Sequence, residues 1–217
     1  MKEKLAELIG IILGDGSIGI YNNIPRLKIT LNSEKDLEYA YYVIRLLDEI
    51  FEAKSYLYKR KNEKTLDIIV KDKIVVEYLL KIGMKLAPKW GRARVPHDYL
   101  KGGLGLKVIR GYMDTDGCIT VFDNNGTLYP RIEMKISQSP MQNQLIDILK
   151  KHNFKPRVNN IGRGKKRIML AGKQKLLRWY CKIGFSNKRN IVIAERFIKK
   201  IAGSGIPTHF QMVENKI

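Results

Sequence analysis

The sequence is short of acid and short of the residues that build metal or redox centres. It carries 21 Asp and Glu against 41 Lys and Arg, a net charge of +20 in 217 residues, with a pI near 9.9. Its two cysteines, Cys118 and Cys181, and three histidines, His97, His152 and His209, lie far apart. That pattern argues against a disulfide framework and against cysteine or histidine zinc sites, and it fits a reducing compartment. No apolar run, Leu8 to Leu13 included, approaches the roughly 20 residues that span a bilayer. The start of the chain carries Glu3 and Glu7 around its few apolar residues, unlike a signal peptide or an acid-poor transit peptide. A cytoplasmic, nucleoid-associated protein is the expectation, with no membrane partner. Hydrophobic residues make up 44%, enough for a packed core. A foldable chain this basic is suited to a polyanion such as nucleic acid.

A repeat underlies the sequence. Gly10-Ile11-Ile12-Leu13-Gly14-Asp15-Gly16 resembles Gly111-Tyr112-Met113-Asp114-Thr115-Asp116-Gly117, and Asp15 and Asp116 are 101 residues apart. Lys81-Ile82-Gly83-Met84 and Lys182-Ile183-Gly184-Phe185 stand at the same offset. Two landmarks at one spacing mark two similar halves, 1–100 and 101–217, joined near Lys101 to Gly105.

Each half reads as helix, two strands, helix, two strands, helix. In the first half Leu5, Leu8, Ile9, Ile12 and Leu13 have helical spacing to Gly14. Residues 17–21 and 25–32 alternate as a hairpin bent at Asn22-Asn23. Ser33 is expected to cap a helix reaching about residue 52. A second hairpin spans 55–60 and 65–70, and a third helix covers 74–82. The second half repeats the order: helix 106–115, strands 118–122 and 129–137, helix 141–151, strands 156–160 and 167–170, helices 174–183 and 191–201. The expected class is α+β with antiparallel sheets, each half αββαββα.

The basic residues cluster on the second hairpin of each half. Lys155 to Lys173 holds seven Lys or Arg and no acid; Lys54 to Lys64 holds five and one acid, interleaved with Tyr56 and Tyr58. A two-stranded ribbon fits the major groove, and flanking cations neutralise phosphates.

Asp15 and Asp116 each end an apolar helix, where the helix dipole already contributes negative charge. A divalent cation would compensate, since Mg²⁺ accepts one or two carboxylates with phosphate and water. Gly10 and Gly14 lie four apart on one face, as do their counterparts Gly111 and Thr115. Small residues at that spacing let two helices approach closely, which would bring Asp15 and Asp116 together.

These two segments resemble two copies of the LAGLIDADG motif, and nearly the whole chain resembles a monomeric, two-motif LAGLIDADG homing endonuclease. The resemblance implies two saddle-shaped sheets along a long double-stranded DNA site, packed through the two motif helices. It implies Mg²⁺ at Asp15 and Asp116, beside Gly14 and Thr115, with Mn²⁺ or Ca²⁺ able to substitute for binding. One phosphodiester per strand would be hydrolysed, leaving short 3′ overhangs. It further implies polar helpers: Gln138, with Leu31 or Asn32 standing where the first half departs from that pattern, and the late lysines Lys89 and Lys188. Asp114 falls where the motif's inner acid sits and is read as structural.

Strand alternation names the surface that would face DNA: Ser17, Tyr21, Arg26, Lys28, Thr30 and Asn32 in one half, and Thr120, Phe122, Arg131, Glu133, Lys135 and Ser137 in the other. The hairpins add Tyr56, Tyr58, Arg60, Arg163, Lys165 and Arg167. A non-cleaving maturase with an intron RNA partner, or a DNA-binding regulator, is the competing reading; retention of both acids favours the enzyme. The chain ends Glu214-Asn215-Lys216-Ile217 without a His-Asn pair, so an intron-encoded protein is expected rather than an intein.

Overall fold

A computed structural model describes residues 1–202, with side chains to residue 199; His209 lies outside them. The first half comprises α1 (Lys2–Gly14), β1 (Gly16–Tyr21), β2 (Ile24–Asn32), α2 (Leu37–Phe51), β3 (Ser55–Lys59), β4 (Thr65–Val70) and α3 (Lys73–Lys81). The second comprises α4 (Gly102–Asp116), β5 (Gly117–Asn124), β6 (Thr127–Ile136), α5 (Met141–Lys151), β7 (Arg157–Asn160), β8 (Lys166–Ala171), α6 (Lys173–Lys182) and α7 (Lys188–Ala202). A single 3₁₀ turn at His97–Tyr99 leads into α4.

Each half folds its four strands into one antiparallel sheet, ordered β1-β2-β4-β3 and β5-β6-β8-β7. The register Leu27↔Val70, Ile29↔Ile68 and Leu31↔Leu66 puts three apolar pairs on one face, where all six are buried. Because side chains alternate along a strand, Arg26, Lys28, Thr30 and Asn32 are left on the opposite, open face. The first hairpins turn on Asn22-Asn23 and Asn125-Gly126, all four residues at positive φ, as a two-residue turn between right-twisted strands requires. The second half adds two paired positions, Asp123↔Leu128 and Asn124↔Thr127, beyond the pairing that ends the first at Tyr21↔Ile24.

The helices α1 and α4 form the seam between the halves. Every residue of α1 from Leu5 to Leu13 is buried, the mark of a helix enclosed on all sides. A Cβ on Gly10 would overlap the Val108 carbonyl oxygen, and one on Gly111 would overlap that of Glu7. Glu7 and Val108 share the same 101-residue offset, so the two clearances are reciprocal. Gly14 likewise faces the Thr115 side chain.

The cap of α2 differs from the expectation. Asn32 Oδ1, and not Ser33, accepts from the Glu34 and Lys35 amides at 3.0 and 2.9 Å. The Asn32 amide closes a turn first, so the helix starts only at Leu37. Asp36, just before it, is buried and bonds across the seam to Asn187 and Arg189.

Candidate active site

The motif helices deliver Asp15 and Asp116 to one place, where the seam opens between the sheets. Burial, and then the negative charge of Asp116, push the Asp15 carboxyl up to about 7. Asp116 opens onto solvent, yet enough protein surrounds it that its carboxyl is also raised, against the pull of Lys89 and a hydrogen bond from Tyr112. Two partly desolvated carboxylates that repel one another form a pair that a divalent cation would stabilise. Among the described residues no three His, Cys, Asp or Glu gather at one point, so any metal here rests on this pair together with water and phosphate oxygens. That donor set suits Mg²⁺.

Lys89 holds the end of α1. Its ammonium donates to the carbonyls of Ile12, Leu13, Gly14 and Gly16 at 2.8, 2.6, 2.5 and 2.9 Å. A cation at a helix C-terminus is favourable. Burial nevertheless lowers Lys89 to about 8, with Asp116 and Asp15 opposing. The Gly14 carbonyl, expected beside a metal, thus already faces an ammonium. Thr115 Oγ1 donates back to Gly111 and Tyr112 carbonyls and packs the seam. Lys89→Met removes the donor from four carbonyls and is expected to cost about 2 kcal/mol, read as a shift in urea midpoint.

Lys188 is not the counterpart of Lys89. It is exposed and pairs with Glu38 at 2.9 Å. The equivalent position over α4 belongs to Asn187, whose Nδ2 donates to the Asp114 carbonyl at 3.2 Å and to Asp36 at 2.8 Å. Residue 114 stands 101 after Leu13, one of the carbonyls Lys89 holds. One helix end is therefore held by a charged group and the other by a neutral amide, with Arg189 close enough to act on Asp15. Asp114 itself is buried and accepts from the Ser186 amide at 2.5 Å and Asn190 at 2.8 Å.

The open sheet faces flank the acids. Ser17, Tyr21, Arg26, Lys28, Thr30, Asn32, Tyr56 and Tyr58 share one face, and Thr120, Phe122, Arg131, Lys135 and Arg167 the other, as the pairings dictate. Arg26 lies over the Tyr21 ring at 4.3 Å and Arg131 over the Phe122 ring at 3.8 Å. Tyr21 and Phe122 are 101 apart, so this arginine-on-ring unit occurs once per half. Several residues expected to meet DNA already have partners within the protein: Asn32 caps the turn before α2, and Thr30 Oγ1 donates to Asp67 at 2.6 Å. Arg60 donates to Asp67 at 2.9 and 3.1 Å and to Glu63 at 3.2 Å. Glu133 is buried among Arg131 and Arg167, at 3.2 and 3.8 Å. In these last two cases an acid on a cationic sheet draws in the nearest arginines. Arg163 and Lys165 are exposed in the turn before β8, and Ser137 just after β6.

The reciprocal glycines and paired terminal acids agree with the comparison that decides the relationship: a model of the LAGLIDADG DNA endonuclease family matches residues 6–177. The chain belongs to that family. Solved LAGLIDADG relatives share the fold. I-DmoI in complex with DNA and Mn is 16% identical, with 85% of this chain and 98% of that one covered at a TM-score of 0.60. The meganuclease I-SmaMI bound to uncleaveable DNA is 9% identical, with 89% and 88% covered at 0.62. I-LtrWI bound to target DNA is 11% identical, with 100% and 92% covered at 0.60. Among curated proteins, the Replication factor C small subunit of Methanocaldococcus jannaschii is 29% identical over 118 residues, 54% of this chain and 6% of that protein. The match thus spans a small part of that protein's length.

In this LAGLIDADG protein Gln138 shares a cleft with Asp116, Lys89, Tyr112 and Trp90. Its carbonyl accepts from the Gly91 amide at 3.1 Å, and its side chain lies against Gly164. Sequence reading missed Asn187, Arg189 and Trp90. The 101-residue offset would have aligned Asn190, not Asn187, with Lys89, because the connector before α4 is far longer than the one before α7. Only the cap on the Asp114 carbonyl reveals the match.

Proposed function

We propose that this protein is a monomeric, site-specific double-stranded DNA endonuclease of the homing type, which hydrolyses one phosphodiester per strand with a divalent cation and leaves short 3′ overhangs. The observation that carries this reading is the meeting of Asp15 and Asp116 at the seam between two cationic open sheets. Asp15 and Asp116 would hold the cation, which when bound activates water and stabilises charge on the phosphate. Lys89 fixes the end of α1, and with it the place of Asp15. Gln138 lies within the same cleft as Asp116, where its amide can orient a water or a phosphate oxygen. The relatives bound to DNA, some with Mn or Ca, support the substrate and the cation class.

The open faces supply recognition. An arginine restrained over a ring loses less freedom on binding, and Arg is the usual partner of a guanine edge. Arg26→Ala and Arg131→Ala are each expected to weaken duplex binding about 10- to 100-fold, as measured by fluorescence anisotropy at fixed salt. The deciding experiment is incubation of a randomised duplex library with Mg²⁺, followed by sequencing of cut ends. One long site cut with 3′ overhangs sustains the reading. A duplex selected and bound but never cut, with Mg²⁺ or Mn²⁺, replaces it with that of a DNA-binding regulator.

A further inference from the structure

The connector between α3 and α4 runs from Ile82 to Lys101, whereas that between α6 and α7 runs only from Ile183 to Asn187. The first half thus carries a loop that the second lacks. From Gly83 to His97 it bears Lys85, Lys89, Arg92 and Arg94 and no acid. It is tied down along its length. The Ala87 amide donates to the Ile18 carbonyl at 2.7 Å, the Gly91 amide to Gln138 at 3.1 Å, and the Met141 amide to Ala93 at 3.1 Å. Lys89 adds three bonds to the end of α1 and one to Gly16 at the start of β1. Arg92 reaches back to the Pro88 carbonyl at 2.7 Å, and the Arg92 and Ala93 amides close a turn on the Lys89 carbonyl at 3.1 and 2.9 Å. Gly91, at φ +69°, makes that turn possible.

Trp90 stands at the tip of this turn with 82% of its surface exposed. It lines the same cleft as Asp116, Lys89 and Gln138. The other tryptophan, Trp179, is fully buried between Phe154 and Phe185. An indole in water forfeits the burial that a tryptophan normally finds. A loop pinned from both halves holds it in the open, next to cations and in the same cleft as Asp116. An apolar side chain in that setting matches the wedge that DNA-bending proteins drive between base steps.

We propose that Trp90 is such a wedge: its indole enters a base step of the bound duplex beside the catalytic cleft and partly unstacks it. The inference rests on the endonuclease reading and adds to it a positioning residue and a preference. The step that accepts the indole is a deformable pyrimidine–purine step, because that is the least costly to open. Since the second half has no such loop, the distortion falls on one side of the centre, so the two strands are presented differently to the acids.

The test uses the full chain, the duplex selected from the library, and Ca²⁺ to permit binding. 2-Aminopurine replaces one base at a time across the central steps. Binding by the wild type is expected to raise its fluorescence at one step, and Trp90→Ala to abolish that rise. Trp90→Ala is also expected to weaken binding about 10-fold and to slow cleavage by at least as much, with an unchanged melting temperature. Trp90→Phe restores part of both. Acrylamide quenching of the exposed tryptophan should fall on complex formation, a change absent in Trp90→Phe, where only Trp179 emits. A duplex that is bound and cut with silent 2-aminopurine at every central step, or with a signal that survives Trp90→Ala, overturns the wedge and leaves the endonuclease standing. A wild type that neither binds nor cuts any duplex overturns both.

Discussion

Asp15→Asn and Asp116→Asn will each abolish strand cleavage, and Asp15→Asn will at the same time raise the melting temperature of the metal-free protein. The loss of activity follows from removing one of the two carboxylates available to a cation; a fall of at least about 1,000-fold in rate is expected. The gain in stability follows from the position of that charge. Asp15 titrates near 7 when folded and near 3.8 when unfolded. Below pH 3.8 both states keep the proton and the site costs nothing. Between 3.8 and 7 the unfolded chain has released a proton that the folded chain retains, so stability falls as pH rises. Above 7 the penalty is constant, at most about 4 kcal/mol for a shift of roughly three units. Solvent at this half-buried carboxyl reduces that to about 2 kcal/mol. Asparagine carries no charge and escapes the penalty. At pH 8 without divalent metal, Asp15→Asn should therefore melt about 5 °C higher than wild type, and the gap should close by pH 4. Scanning calorimetry at the two pH values decides it. A variant that melts lower at pH 8 contradicts the raised carboxyl, and one that still cuts DNA removes Asp15 from the site.

Gly111→Ala is expected to have the largest effect on folding. In an exposed helix the same change would add about 1 kcal/mol of stability. Here the new methyl would overlap the Glu7 carbonyl oxygen, and the Ile11 amide lies 2.9 Å away. Both obstacles are backbone, so no side chain can swing clear. The helices have to separate, at a cost of about 3 kcal/mol or more, which lowers the melting temperature by roughly 10 °C. Separation also loosens the bonds across the seam, among them the ion pair of Arg110 with Glu7 and the hydrogen bond of Ser186 to Glu7 at 2.6 Å. Gly103→Ala, in the same helix with no atom within 4 Å of the new methyl, serves as the control and should be neutral or stabilising. Equal behaviour of the two variants would refute close packing at the seam.

The sequence revealed what repeats and what alternates. The shared offset located both motif helices, and the alternation from Arg26 to Asn32 gave the open face of β2, because burial of one face of a strand leaves a period of two. What it could not reveal were partnerships between distant residues. Lys89 finds α1 only after the long connector folds back. Asn187 stands at the matching cap where the first half has a lysine, so residue type alone points to Lys188 instead. Arg60 and Glu133 carried the right chemistry for a DNA-facing sheet, yet neighbours on the sheet claimed them: Asp67 across the strand for one, and for the other Arg131 two residues back on β6 with Arg167 on β8. Trp90 gave no signal in one dimension, since exposure of an indole is visible only in three.

The reciprocal clearance at the seam has a consequence for altering this molecule. In a dimer of identical halves every substitution appears twice, and each residue must serve two settings. Here, on the proposed endonuclease reading, a new side chain at Arg131 would change the reading of one arm of the target and leave the arm under Arg26 as it was. The exception is the crossing itself, where room for residue 10 is set by the backbone at 108, and room for residue 111 by the backbone at 7. The two arms can be retuned separately, whereas the crossing has to be redesigned as a pair.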